Sequence, residues 1–142
     1  GVHLKEILKK ELSCMEIDCI DYNQDYGNPA ELYPDIAVGL CNCVLRDTQS
    51  RGILICGTGI GTCISANKVP GIRAAVCHDA YSTERSMKSN DAQVMCMGAQ
   101  IIGSELAKKL LHIWLESEFV QGGRSVPKVA RINHYDELYR CK

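Results

Sequence analysis

The sequence lacks several features that would assign it to a common functional class. No apolar run approaches the roughly 20 residues that cross a bilayer, and the start, GVHLKEILKKELS, lacks the basic-then-apolar order of a secretory signal. Acidic and basic residues nearly balance at a net charge of −1, which excludes a general attraction to nucleic acid or an anionic membrane. We therefore expect no nucleic-acid or membrane partner, and any anion site must be local.

The cysteines also lack a pattern that would define them as a group. There are nine in 142 residues, an odd number, and none forms a CxxC pair of the kind found in zinc ribbons and redox motifs. Cys19, Cys56, Cys77 and Cys96 lie in apolar runs typical of strands. We expect most of the cysteines to be small buried thiols in a reducing cytoplasm. Cys56 differs from the other cysteines because it directly precedes a glycine turn.

Strand-like and helical patterns alternate along the chain. The sequence predicts helices over 2–12 and 60–68, and three more that begin with Pro34 in the first turn, after an Asp79 cap and after a Ser104 cap. It predicts strands over 15–22, 52–56, 72–77 and 92–98. This alternation predicts an α/β fold, with an open parallel sheet covered by helices on both faces. The chain reads as one domain over 1–142, with a partly helical tail from 123 to 142.

The stretch ICGTGIG places Gly57, Gly59 and Gly61 at the end of a predicted strand. Ligands in open α/β sheets bind beyond the carboxyl ends of the strands, where glycines let backbone N–H groups converge on an anion. A tight turn, a dinucleotide site and a sugar-phosphate site are the three interpretations. The dinucleotide pattern is incomplete, because Thr62 stands where its third glycine would fall, and no Gly-Lys-Ser/Thr follows to make a Walker loop.

Cys56 favours the sugar-phosphate interpretation. A thiolate at the mouth of a glycine turn is stabilised by the surrounding N–H groups, and it can act as a nucleophile or as a general base. Acyl transfer would need a histidine partner, and the pattern ties none of the four histidines to Cys56. His78 follows a strand and lies either on the same rim or on the surface. The base role is therefore the preferred hypothesis.

The run from GILICGTGIG through ISANKVPGIRAAVCHD to MGAQIIG and GGR resembles the ribose-5-phosphate isomerase type B family. That family includes allose-6-phosphate isomerases and galactose-6-phosphate isomerase subunits. The resemblance implies a Rossmann-like, doubly wound αβα fold and a homodimer or dimer of dimers with sites between subunits. It also implies a cytoplasmic enzyme of the pentose phosphate pathway with no metal or organic cofactor.

The resemblance also implies roles for individual residues. Cys56 resembles the base that moves a proton between C1 and C2 through a cis-enediolate, and Thr58 assists in opening or binding the sugar. The backbone of Gly57, Gly59, Ile60 and Gly61 resembles the enediolate cradle. Tyr33 and Asn90 resemble residues that contact the sugar. Arg124 and Lys128 resemble residues that grip the phosphate, whereas Arg73 either helps them or pairs with an acid.

Three departures from the family pattern bear on the substrate. The Asp-His pair that ends the family's first strand would fall immediately before Gly1, so a first strand is expected upstream. Ser89 stands where the family has the histidine that opens the furanose ring, and Ser125 replaces a second histidine after GGR. The first expectation is interconversion of ribose 5-phosphate and ribulose 5-phosphate. The alternatives are a hexose 6-phosphate, a substrate that opens without help, or a non-catalytic binding paralogue.

Overall fold

The computed structural model describes residues 1–28 and 30–140, and within them three strands form one parallel sheet between helices. The elements in chain order are α1 (Val2–Cys14), α2 (Tyr22–Asp25), α3 (Tyr33–Arg46), β1 (Gly52–Cys56), α4 (Ile60–Ala66), β2 (Ala74–Val76), α5 (Ala80–Lys88), β3 (Val94–Gly98), α6 (Ser104–Glu116) and α7 (Val126–Arg140).

The sheet has the order β1-β3-β2, and β3 is its central strand. Val94 to Met97 are fully buried, because β3 is covered on both faces as parallel strands usually are. Side chains alternate across the strand, so Met95 and Met97 join one core while Val94 and Cys96 join the other. In register, Cys56 of β1 lies opposite Gly98 of β3, so the carboxyl ends of these two strands meet.

Helices form the outer two layers. On the face of Met95 and Met97, α1 and α6 contribute leucines, with Trp114 fully buried among them. On the opposite face, α3 and α4 pack Ala37, Cys41 and Ala66 against the sheet. This arrangement confirms the predicted three-layer α/β fold with a helical C-terminal tail.

Some sequence predictions of local structure are wrong. Residues 15–22 alternate like a strand, yet none of them pairs with β1, β2 or β3. The segment instead returns along α1, where Lys5 and Lys9 bind the carboxylate of Asp21 at 3.1 and 2.9 Å. The predicted strand over 72–77 is shortened to Ala74–Val76, and the predicted helix over 60–68 ends at Ala66.

The predicted caps and buried thiols have mixed outcomes. Asp79 caps α5 by accepting a hydrogen bond from the Ser82 N–H at 2.8 Å. Ser104 does not cap α6; it is the first helical residue, and Gly103 precedes it without a side-chain cap. Cys41, Cys77 and Cys96 are buried as expected, whereas Cys14 and Cys19 are exposed because no layer of the described chain covers them. Cys141 lies outside the described residues.

The C-terminal helix α7 packs little against the rest of the chain. Val129 is the one buried residue of its 15. Its polar contacts include those of Asp136, which accepts from the Gly71 N–H at 2.6 Å, and Asn133, which accepts from the Arg73 guanidinium at 2.9 Å. The exposed apolar residues of α7 do not make it a membrane helix, since nothing in the described part of the chain is both long and apolar enough to span a bilayer.

Substitution of Gly98 by alanine tests the close approach at the carboxyl end of β3. A Cβ there would lie 2.6 Å from the Thr58 carbonyl carbon, which is backbone and cannot move aside cheaply. We expect Gly98→Ala to lower the free energy of unfolding by about 1–3 kcal/mol, the usual cost of overpacking. Gly103→Ala is the matched control, because a Cβ at Gly103 meets nothing within 4 Å. Urea denaturation measures both, and equal stabilities for the two variants would contradict this packing.

Candidate active site

The glycine turn is built on one left-handed residue. Gly59 has φ +78°, and a Cβ on it would lie 2.9 Å from the Met97 carbonyl carbon, so both its conformation and its surroundings require glycine. This conformation returns the chain from β1 into α4 and presses the turn against the end of β3. Ala99 and Gln100 complete the contact, since their N–H groups donate to the carbonyls of Cys56 and Gly57 at 2.8 and 2.9 Å.

Cys56 lies half-buried at the centre of this turn. Its Sγ accepts a hydrogen bond from the Gly59 N–H at 3.0 Å and lies 3.5 Å from the Thr62 hydroxyl. Burial alone would raise the pKa of the thiol. Hydrogen bonds from the Thr62 hydroxyl and from nearby backbone N–H groups, including that of Gly59, outweigh burial and hold the Cys56 pKa below its usual value. The donors around Cys56 therefore favour its thiolate form more than water would.

The other predicted residues of the turn have distinct environments. Thr58 is exposed, and its hydroxyl accepts from the Ile60 N–H at 3.3 Å. The N–H groups of Gly59 and Ile60 are thus used within the turn itself, by the sulfur and by Thr58. Gly61, the second residue of α4, faces a side chain from another element.

That side chain is Tyr33, the first residue of α3. A Cβ on Gly61 would come within 2.5 Å of the Tyr33 hydroxyl, so the phenol lies directly over the start of α4. Tyr33 is 52% exposed, which leaves its ring accessible from the open end of the sheet. The structure therefore brings Tyr33 to the glycine turn, although the two are 28 positions apart in sequence.

Gln100 and His78 also reach this region. The Gln100 side-chain oxygen lies 3.2 Å from where a Gly57 Cβ would be, and the only sequence signal for it is a polar residue just after a strand. The His78 Nε2 accepts from the Gly98 N–H at 2.8 Å, which places His78 at the rim and the proton of a neutral ring on Nδ1. The sequence pattern did not identify Gln100, and it left open whether His78 lies on the rim of the site or on the surface.

Asn90 is not brought to the turn within one chain. It precedes β3 by four positions, whereas Cys56 lies beside Gly98 at the far end of that strand. The five residues of β3 span about 16 Å at 3.3 Å each, so the length of the sheet separates Asn90 from the thiol. Arg73 lies with Asn90 and is bound to acceptors there: its guanidinium contacts the Asn90 carbonyl at 3.0 Å and the Asp91 carboxylate at 3.4 Å.

Arg124 and Lys128 also lie away from the turn. The Val120 N–H, just ahead of them in sequence, donates to the carbonyl of Lys88 at the end of α5, on the amino side of β3. Arg124 and Lys128 are both exposed. The structure thus gathers Cys56, the glycines and Tyr33 at one end of the sheet, and it gathers Asn90 and the residues before Arg124 at the other.

Known proteins of one enzyme family are similar to this chain in sequence. The family model described as Ribose/Galactose Isomerase matches residues 1–132. A Pectobacterium atrosepticum protein named D-erythrulose-4-phosphate isomerase is 47% identical over 96% of this chain and 89% of its own length. A Listeria innocua protein named Ribose-5-P isomerase B is 48% identical over 99% of this chain and 93% of its own length.

Solved structures of ribose-5-phosphate isomerases B are similar to this chain in fold. Ribose-5-phosphate isomerase B from Clostridium thermocellum superposes with a TM-score of 0.89 at 39% identity, covering 98% of this chain and 93% of the other. The Mycoplasma genitalium enzyme, solved with bound ribulose 5-phosphate, gives a TM-score of 0.86 at 29% identity over 96% and 90% of the two chains. The chain therefore belongs to the ribose/galactose isomerase family, and it is a sugar-phosphate isomerase.

Proposed function

We propose that the chain interconverts an aldose phosphate and a ketose phosphate through a cis-enediolate, with Cys56 as the general base. The observation that carries this proposal is the Cys56 thiol at the carboxyl end of β1, bound by the Gly59 N–H at 3.0 Å and with a lowered pKa. A base must be ionised to take a proton and must still bind the proton it removes, and neutral donors around the sulfur favour the ionised form without adding a charge.

The chemical step follows from this placement. The Cys56 thiolate takes the proton on C2 of the aldose, so the C–H bond breaks, an S–H bond forms, and the electron pair moves onto the carbonyl oxygen. The N–H groups of Gly57 and Gly61 stabilise the enediolate oxygens in this proposal. A proton moves from the C2 hydroxyl to the C1 oxygen of the enediolate. The thiol then returns its proton to C1, and the C2 oxygen becomes the carbonyl of the ketose. Thr58 and Tyr33 bind sugar hydroxyls in this proposal. A reducing cytoplasm suits it, because the base must stay unoxidised.

A second copy of the chain completes the site in this proposal. Asn90, Arg124 and Lys128 bind the open sugar chain and its phosphate, but the length of the sheet separates Asn90 from Cys56 within one chain. Ile60 and Ile64 on α4 are more than half exposed next to the turn, and α7 presents Ile132, Tyr135 and Leu138 at its surface. These apolar surfaces are available for pairing with another copy. A two-fold homodimer would then bring the amino end of one sheet to the glycine turn of its partner.

The four-carbon phosphate pair, D-erythrose 4-phosphate and D-erythrulose 4-phosphate, is the substrate we propose. Identities of 47% and 48% to relatives named for erythrulose 4-phosphate and ribose 5-phosphate do not separate the two. Ser89 supports the choice, because it stands where the family resemblance expects the ring-opening histidine. A tetrose 4-phosphate carries its phosphate on the oxygen that would close a furanose, so it stays open and needs no such acid.

Ribose 5-phosphate, the first expectation from the sequence, is the second candidate. The named activities of the Listeria and Clostridium relatives favour it. His78 is the imidazole near the turn, but its Nε2 is already used as an acceptor for the Gly98 N–H. Ring opening by His78 would therefore depend on Nδ1 alone.

Subunit complementation tests the shared site. We expect Cys56→Ala and Arg124→Ala to be nearly inactive separately when the substrate is far below KM, the first for want of a base and the second for want of phosphate binding. In a mixed dimer one site is intact and the other carries both changes. Refolding the two variants together should therefore restore about a quarter of wild-type activity, since half of the dimers are mixed. Mixed dimers seen by native mass spectrometry without any recovery of activity would contradict a shared site.

Substrate choice is tested by a substitution at Ser89. We expect kcat/KM of the wild type to be at least about tenfold higher for the tetrose phosphate than for ribose 5-phosphate, because general acid catalysis of ring opening is worth about that much or more. Ser89→His should raise kcat/KM for ribose 5-phosphate and leave the tetrose value unchanged. Ser89→Ala is the control for loss of the hydroxyl. Equal use of both substrates by the wild type, with no pentose gain in Ser89→His, would contradict the four-carbon assignment.

A further inference from the structure

Thr62 is a buried hydroxyl with two acceptors and one proton. It is the third residue of α4 and is 3% exposed. Its Oγ1 lies 3.3 Å from the Gly59 carbonyl oxygen and 3.5 Å from the Cys56 Sγ. A threonine hydroxyl carries one proton and can donate to only one of these atoms at a time. A helical threonine commonly bonds back to a carbonyl three residues earlier, so the contact with Gly59 alone would have a structural explanation.

The Gly59 carbonyl does not depend on Thr62. The Cys63 N–H also donates to this carbonyl, at 3.3 Å, so its need for a hydrogen bond is met by the backbone of α4. The Thr62 proton can therefore turn to the sulfur without leaving a buried carbonyl unpaired. Gly59 contacts both the hydroxyl and the sulfur, because its carbonyl faces Thr62 while its N–H donates to the Cys56 sulfur at 3.0 Å.

Two further cysteines, Cys63 and Cys96, lie beside Thr62, and of these two Cys63 is the one that ionises near neutral pH. Contact with Cys63 together with burial raises the pKa of Cys96 of β3, so Cys96 remains a neutral thiol. Cys63 follows Thr62 on α4, and the same contact with Cys96 lowers the pKa of Cys63 to about 7. The Cys63 sulfur is directed towards the carbonyl of Ala74, at 3.5 Å on β2. Two other titratable groups lie in this region, Tyr33 over Gly61 and His78 against the Gly98 N–H.

We propose that Thr62 is a positioning residue of the isomerase reaction, whose hydroxyl donates to the Cys56 thiolate and turns to the Gly59 carbonyl when that sulfur holds the substrate proton. The inference rests on the proposed role of Cys56 as the base. The Gly59 N–H and the Thr62 O–H then hold the thiolate at two points, which fixes the position of the sulfur relative to the start of α4.

No bond is made or broken at Thr62 in this sequence. When the substrate C–H bond breaks, the proton goes to the Cys56 sulfur and the electron pair to the carbonyl oxygen. The Thr62 O–H then rotates about its Cβ–Oγ bond to the Gly59 carbonyl, because a neutral thiol is a weak acceptor. The S–H stays aimed at the substrate and can deliver the proton to the neighbouring carbon. Rotation back restores the thiolate contact.

Alkylation of Cys56 as a function of pH tests this role without requiring turnover. Iodoacetamide is reacted with the intact protein from pH 5 to pH 10, and mass spectrometry follows each cysteine separately. We expect Thr62→Val, which keeps the shape and removes the hydroxyl, to move the Cys56 profile to higher pH and to slow its alkylation at pH 7 by about tenfold. Thr62→Ser should restore the wild-type profile. The exposed Cys14 is an internal reference and should not change in any variant.

Matched controls separate positioning from structure. Thr83→Val removes another fully buried hydroxyl, bonded to the Asp79 carbonyl at 2.6 Å, and it should leave the Cys56 profile unchanged. If Thr62→Val does not fold, Thr62→Ala is measured in its place. A Cys56 profile unchanged in Thr62→Val or Thr62→Ala, or one that Thr62→Ser does not restore, would overturn the proposal. Because alkylation reports the thiol directly, this result is distinct from a failure of Cys56 as the base.

Discussion

The hydrogen bond from the Gly59 N–H to the Cys56 sulfur is the contact on which the rest of the site depends. It exists because Gly59 adopts a left-handed conformation, which no side chain would tolerate so close to the Met97 carbonyl carbon. The same conformation sets the start of α4, and so it places the Thr62 hydroxyl beside the sulfur. The backbone conformation of Gly59 thus positions the Cys56 sulfur and the donors that bind it.

The parallel sheet determines what one chain can and cannot assemble. Parallel strands collect their carboxyl ends at one edge, which brings Cys56 next to Gly98, and His78 to within hydrogen-bond distance of Gly98. The same geometry sends Asn90, ahead of β3, to the opposite edge. A site that uses both edges needs a second chain. Such pairing is supported by the exposed apolar residues of α4 and by the small part of α7 that is buried within one chain.

The sequence predicted those parts of the fold and site that local patterns control. The strand ending at Cys56, the glycine turn and the Asp79 cap follow from short-range signals, and the structure confirms them. Residues 15–22 show why pattern alone is insufficient, because alternation describes a strand's faces but does not supply a neighbouring strand. The distance from Cys56 to Asn90 depends on topology, which no short motif encodes. Thr62 could not be recognised, since its role requires knowing that the Cys63 N–H already satisfies the Gly59 carbonyl.

Solvent deuterium exchange shows whether Cys56 is the base that removes the substrate proton. Proton NMR in deuterated water follows the C2 proton of D-erythrose 4-phosphate or ribose 5-phosphate with the wild type and with Cys56→Ala, and saturation-transfer NMR checks that the variant still binds the sugar phosphate. The account predicts loss of the C2 proton signal with the wild type, and no exchange with Cys56→Ala although binding persists. Exchange by Cys56→Ala at the wild-type rate would show that another group removes the proton, and it would contradict the account.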